Sequence, residues 1–127
     1  MEWHSKGPTR QQQGSATEAL AAEYLQQQGL QLITRNFHCR RGELDLVMAE
    51  QEWLVFVEVR SRKANALVSP AESISWRKQQ RLIAAARYYL HRYNGYNRPC
   101  RFDVVCVSTP CTGQPNLHWI RDAFDAS

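Results

Sequence analysis

Gly42-Glu43-Leu44-Asp45-Leu46-Val47-Met48-Ala49 and Trp53-Leu54-Val55-Phe56-Val57-Glu58-Val59-Arg60, joined by the polar link Glu50-Gln51-Glu52, decide the fold. Both runs are rich in β-branched, aromatic and alternating residues, so they read as the strands of a hairpin. With Glu50 to Trp53 as the loop, Leu44, Leu46 and Met48 face Val59, Val57 and Val55, which gives one wholly apolar side. On the other side Val47 opposes Phe56, Asp45 opposes Glu58 and Glu43 opposes Arg60. A slip by two residues keeps the same residues on the same face.

Directly opposed carboxylates sit with their Cβ atoms about 5 Å apart and destabilise a sheet unless something offsets their repulsion. A raised pKa, a cationic side chain or a metal ion would each do so. Two carboxylates at that separation suit Mg²⁺, which takes a few protein oxygens and keeps several waters. The alternative is a salt-bridge cluster in which Arg60 and Arg62 neutralise Glu43, Asp45 and Glu58.

Upstream, Leu30 to Phe37 reads as a strand that ends in the basic turn His38-Cys39-Arg40-Arg41-Gly42. Ser15-Ala16-Thr17-Glu18 has capping-box spacing, which predicts a helix from Ser15 to about Gln28 with Gly29 as its left-handed cap. Glu18 heads the apolar stripe Ala21, Ala22 and Leu25, and so belongs to the face turned to the sheet. A capping role explains Glu18 equally well, and Glu23 also sits beside small residues. Residues 1–13 are polar and Gln-rich and read as a flexible tail. Residues 14–127 read as a single domain.

Downstream, residues 61–68 form a basic loop carrying Arg62 and Lys63. Ser69-Pro70-Ala71-Glu72 starts a long helix, with Leu82, Ala85, Ala86 and Tyr89 as its buried stripe. Asn94-Gly95 stops it near Tyr93. Strands follow at Arg101–Ser108 and Leu117–Arg121. The expected order is αβββαββ: an α/β (α+β) fold with a mixed central sheet of about five strands, flanked by helices.

The 127 residues carry a net charge of +4, with 43% hydrophobic and 22% charged residues. These proportions suit one globular domain and exclude full-length disorder, collagen-like and coiled-coil chains. No apolar run approaches the ~20 residues of a membrane helix, and Met1 to Lys6 lack a signal-peptide core. The expectation is a soluble, cytoplasmic protein with no membrane partner. Basic charge comes from 13 Arg and 3 Lys, a bias that favours phosphate and hence a nucleic-acid partner. The four cysteines lack metal-ligand spacing, and Cys106 reads as a buried strand residue. Arg40, Arg41, Arg62, Lys63, Arg77, Lys78 and Arg81 form a candidate basic rim around the acids, with Gln79 a polar neighbour. Trp53, Trp76 and Trp119 read as packing residues, and Asp103 as the partner of an arginine.

Gly42-Glu43-Leu44-Asp45-Leu46-Val47 followed by Phe56-Val57-Glu58-Val59-Arg60 resembles the core of the YraN family of small bacterial proteins. Glu18 ahead of Tyr24-Leu25, Pro70-Ala71-Glu72 ahead of Lys78-Gln79, and Arg101-Phe102-Asp103-Val104-Val105 agree in order. The resemblance covers roughly residues 14 to 124. It implies a restriction-endonuclease-like fold, the PD-(D/E)xK nuclease core, similar to archaeal Holliday-junction resolvases. It also implies a metal-dependent endodeoxyribonuclease acting on DNA, branched or damaged DNA included. Asp45 and Glu58 would bind Mg²⁺ or Mn²⁺, joined by Glu18 as in the resolvase branch. The cation would bind the scissile phosphate, acidify a water and stabilise the leaving oxygen. Arg60 stands where the nuclease motif has lysine. It can stabilise negative charge but does not accept a proton. The resemblance thus also allows an inactive nucleic-acid- or protein-binding module. Resolvase relatives are dimers, which makes a homodimer a further expectation.

Overall fold

In the computed structural model the described residues are 10–62, 74–93, 97–109 and 113–126, with residues 10–15 described by their main chain alone. Seven elements follow in the order αβββαββ: α1 (Arg10–Gln27), β1 (Gln31–Cys39), β2 (Gly42–Glu50), β3 (Trp53–Arg62), α2 (Trp76–Tyr93), β4 (Cys100–Ser108) and β5 (Asn116–Phe124). The five strands form one mixed sheet in the order β1-β2-β3-β4-β5. Of its pairs β3–β4 is parallel, and β1–β2, β2–β3 and β4–β5 are antiparallel. The parallel pair needs a long crossover, and α2 lies within it.

Each face of the sheet is covered. Ala21, Ala22 and Leu25 of α1 pack on Leu46, Met48, Val55, Val57, Val105 and Val107. On the opposite face Leu82, Ala85, Ala86 and Tyr89 of α2 pack on Val47, Phe56 and Phe102. That stripe matches the helical period of the sequence. Period-2 alternation along β2 and β3 thus splits one hairpin between two cores, each closed by one helix.

Helix α1 begins at Arg10, not at Ser15, and takes in the Gln-rich residues 11–13. Glutamine is a good helix former, and the expected capping box lies inside the helix. Its end is as expected. Gly29 adopts φ +105°, its N–H bonds the Gln26 carbonyl at 3.1 Å, and the Leu30 N–H bonds the Leu25 carbonyl at 3.0 Å. This is a Schellman closure, and its two leucines meet in the core.

Helix α2 starts at Trp76, where the Ser75 hydroxyl accepts the Lys78 N–H at 3.1 Å. Ser75 is therefore the cap that the described residues show. The expected start at Ser69 to Glu72, the loop from Lys63 and the stop at Asn94-Gly95 lie outside the described residues. Cys106 is buried, as its strand position required. The tryptophans differ: Trp119 packs edge-on against Tyr24, whereas Trp76 is 73% exposed and packs little.

The register read from the sequence holds near the turn, where Leu46 pairs with Val57, Val47 with Phe56 and Met48 with Val55. The ladder extends to Glu50 and Trp53, leaving a two-residue loop whose first residue, Gln51, has φ 57°. Beyond Leu46–Val57 no further ladder pair forms. Two expectations fail there. Leu44 joins the α2-side core rather than the side of Leu46, and Glu43 does not meet Arg60. Instead Glu43 lies 3.4 Å from His38 on the exposed rim. The change coincides with a backbone irregularity: Asn36 adopts φ 55°, opposite the stretch between Leu44 and Leu46. Phe37 and Leu44 beyond that point both join the α2 side.

Candidate functional site

The end of the β2–β3 hairpin that stops pairing is where the polar residues gather. Asp45 sits at the parting, and its carboxylate accepts the Val59 N–H at 2.9 Å. A side chain thus supplies the acceptor that the interrupted ladder does not, satisfying a main-chain donor that would otherwise be orphaned. Glu58 projects toward α2, buried to 5% exposure. Lys78 Nζ lies 3.5 Å and Arg60 Nη1 3.7 Å from its Oε2. Glu18, half-buried, stands on α1 just ahead of Ala21 and Ala22, on the other face of the sheet. The parted strands therefore let acids from both faces approach Asp45, a meeting that a continuous ladder would block.

These residues line a cleft of about 410 Å³, with Thr17, Ser61 and Arg62 at its border. The Ser61 hydroxyl donates to Thr17 at 3.3 Å, tying the end of β3 to α1. Burial raises the Glu18 pKa from 4.5 to about 7, with the Asp45 charge and hydrogen bonding adding to it, while Arg35 and Asn36 oppose the rise. Burial also holds the Glu58 carboxyl well above the ordinary range. The Asp45 charge reinforces that rise, and Lys78 and Arg60 counter it. The raised carboxyl pKa values mark burial first and carboxylate repulsion second, which the nearby cations do not fully offset.

Geometry separates the candidates that the sequence left open. Glu18 lines the cleft, whereas Glu23 is exposed. With Ser15 inside α1, a capping role no longer accounts for Glu18. Its Oε1 is buried and, among the described residues, receives no hydrogen bond. Arg60, Arg62 and Lys78 line the same cleft. Lys63 lies outside the described residues. Gln79 turns away, its amide donating to the Ile74 carbonyl at 3.1 Å below the first turn of α2. Arg41 is also elsewhere, in a separate cleft with Arg87, Tyr88 and His91.

Two site neighbours escaped sequence reasoning. Arg35 and Asn36 reach Glu18 from β1. The available signal was Asn36 itself, a residue type enriched at positive φ, within a run otherwise read as a plain strand.

The donors around the cleft are carboxylate oxygens, which suit a hard divalent cation rather than a soft metal. The buried, undonated oxygen of Glu18 fits the same use. As they stand, no three acidic, histidine or cysteine side chains among the described residues encircle a common point. Asp45 is turned to the Val59 N–H.

A second polar cluster is fully engaged and structural. Asp103, wholly buried, accepts bonds from Arg101 Nε at 2.9 Å, Trp119 Nε1 at 2.9 Å and the Asp122 N–H at 2.9 Å. Arg101 also meets Glu50 at 2.9 Å, and Arg121 grips both Glu50 oxygens. The expected arginine partner of Asp103 is thus Arg101.

No helix among the described residues is long and apolar enough to cross a membrane. The model of the uncharacterised protein family UPF0102 matches residues 17–107. A UPF0102 protein of Nitrosococcus oceani is 49% identical over 120 residues, covering 94% of this chain and 96% of that protein. A UPF0102 protein of Pseudomonas aeruginosa is 51% identical over 116 residues, 89% of this chain and 92% of its own length. Another, of Pseudomonas syringae pv. syringae, is 45% identical over 119 residues, 93% of this chain and 97% of that protein. The matched span runs from the start of the cleft-lining residues at Thr17 to the end of the buried run of β4. By its length and by the identity of these relatives, the chain belongs to the UPF0102 family, to which the YraN proteins that its motifs resemble belong.

Proposed function

We propose that this protein is a Mg²⁺-dependent nuclease-like protein that hydrolyses phosphodiester bonds in DNA at the cleft formed by Glu18, Asp45 and Glu58. The observation that carries this reading is the crowding of three acids at a parted hairpin, beside Arg60, Arg62 and Lys78. Acids alone would repel a phosphate. The cationic border supplies the attraction, and an oxygen donor set supplies a place for Mg²⁺ or Mn²⁺. Glu18, Asp45 and Glu58 would hold the cation, which supplies charge neutralisation at the phosphate and acidifies a water. Arg60 would face the phosphate and stabilise its growing negative charge without moving a proton. Lys78, already directed at Glu58, would favour its ionised form against the rise that burial imposes. Arg62, at the border, would bind the adjoining phosphate.

The test is calorimetric titration of Mn²⁺ and Mg²⁺ into the wild type and an Asp45→Ala/Glu58→Ala variant, followed by cleavage of linear and branched DNA. Binding and cleavage confined to the wild type would support the reading. Equal cleavage by the variant would refute it. A second reading, a nucleic-acid-binding module without turnover, draws on Arg60 standing 3.7 Å from Glu58 in the lysine position. For that module Arg60→Lys would gain cleavage that the natural chain lacks.

A further inference from the structure

A basic and aromatic path leaves the acid cleft along the outer side of α2. Lys78 lines both the acid cleft and a second one of about 320 Å³, which it shares with Gly42 and Arg81. A third cleft of about 260 Å³ follows, where Arg41 meets Arg87, Tyr88 and His91. Positions 78, 81, 84, 88 and 91 recur at three- and four-residue intervals, so they form one stripe on the helix. Gly42 lets the β1–β2 turn press against that stripe, since a Cβ there would stand 3.1 Å from the Arg81 carbonyl oxygen. The turn thereby brings Arg41 alongside α2 as the second wall.

The stripe from Lys78 to His91 rises about 20 Å, long enough to follow a short run of backbone phosphates. Its far end adds a ring system that simple phosphate binding would not require. Tyr88 is 44% and Tyr93 55% exposed. Phe37 backs Tyr88 at 6.0 Å between ring centroids, and the Arg92 guanidinium lies over the Tyr93 ring at 5.6 Å. Exposed rings beside arginines are the composition of a single-strand platform, in which bases stack while phosphates meet cations. Bases in a duplex are stacked on one another and do not offer their faces. Glu43, bordering the middle cleft, is the acid along the path among the residues lining these two clefts.

We infer that this path holds the single-stranded flank of a nucleic acid whose phosphodiester lies at the acid cleft, with an unpaired base stacked on Tyr88. The inference rests on the nucleic-acid reading above, but it concerns binding and is tested without metal.

The experiment is fluorescence anisotropy with a labelled single-stranded 12-mer DNA and a blunt duplex of the same sequence, in EDTA. It compares the wild-type protein with Tyr88→Ala, Tyr88→Phe and Arg41→Ala/Arg87→Ala, each first checked for an unchanged melting transition. Tyr88→Ala should weaken single-strand binding about tenfold, and Tyr88→Phe should not. Loss of the two arginines should lower the slope of log K against log salt by about 1.4. Wild-type single-strand affinity in both Tyr88→Ala and the double-arginine variant would overturn the inference, as would tighter wild-type binding to the blunt duplex. Metal-dependent cleavage that persists alongside such a result would leave the nuclease reading standing alone. Loss of binding in the path variants, with no cleavage by any protein, would leave the path standing alone.

Discussion

Glu18 and Glu58 are weak acids whose proton affinity is set by the cleft rather than by their side-chain chemistry. Both hold protons more tightly when folded than in the unfolded chain, with Glu18 raised from 4.5 to about 7 and Glu58 raised further by burial. The folded state therefore binds more protons between pH 4.5 and the raised values, and stability falls as pH rises through that window. Glu50 acts in the opposite sense. Its hydrogen bonds from Arg121 and Arg101 lower its pKa, so its contribution is present above pH 4.5 and is lost as pH falls through the lowered value. Without metal the protein should be most stable in the mildly acid range. Melting temperature should drop between pH 5.5 and 8.5, and Glu58→Gln, which keeps the shape without the ionisation, should flatten that drop. An identical slope in the variant would show that these carboxyls do not titrate as the cleft requires.

At the scale of elements, Asp103 is the joint between β4 and β5. The β4–β5 ladder shifts register between Phe102 and Val104, and Asp122 takes φ 51° at the irregularity. The buried Asp103 carboxylate fills the gap by accepting the Asp122 N–H, while Arg101 and Trp119 complete its shell. Asp103→Ala leaves the Trp119 and Asp122 donors unpaired and removes one of the two carboxylate partners of a mostly buried guanidinium, and should cost about 3 kcal/mol, readable by urea denaturation. A cost below about 0.5 kcal/mol, the range of ordinary surface changes, would contradict that role. This joint and the Asp45 site use one device, a carboxylate standing in for a ladder acceptor where a strand pair is interrupted. Such interruptions explain what the sequence could and could not disclose. Strand identity, helix faces and the register beside the turn were legible, because alternation and the 3.6-residue period follow directly from which residues must be buried. The parting beyond Leu46 and Val57 was not. It coincides with a positive φ at Asn36 on a third strand, and Leu44 changes face and Arg35 arrives beside Glu18 without any local pattern to announce it. The early start of α1 was hidden for another reason: glutamines form helix readily but carry no periodic signal.

At the scale of the whole molecule, a cation that binds the folded cleft and not the unfolded chain must stabilise every element at once. Mg²⁺ at a hundredfold excess over its dissociation constant would add about 2.7 kcal/mol. Wild-type melting temperature should rise with Mg²⁺ at pH 8, rise less at pH 5.5 where Glu18 and Glu58 hold protons, and stay fixed in Asp45→Ala/Glu58→Ala. A shift of equal size in that variant would place the cation elsewhere. The sheet order also has a bearing on the birth of the protein. Strands β1, β2 and β3 are neighbours along the chain and can zip together as soon as they leave the ribosome, since short loops close at little entropic cost. The partner of β3 on its other side, β4, is synthesised only after α2, so a long apolar edge waits for its neighbour. Until Cys100 to Ser108 arrive, Leu54 to Val59 are an open template for strands of other nascent chains. Translation speed across the α2 segment thus sets how long this protein is at risk of aggregation, and a chaperone that shields that edge would matter most there.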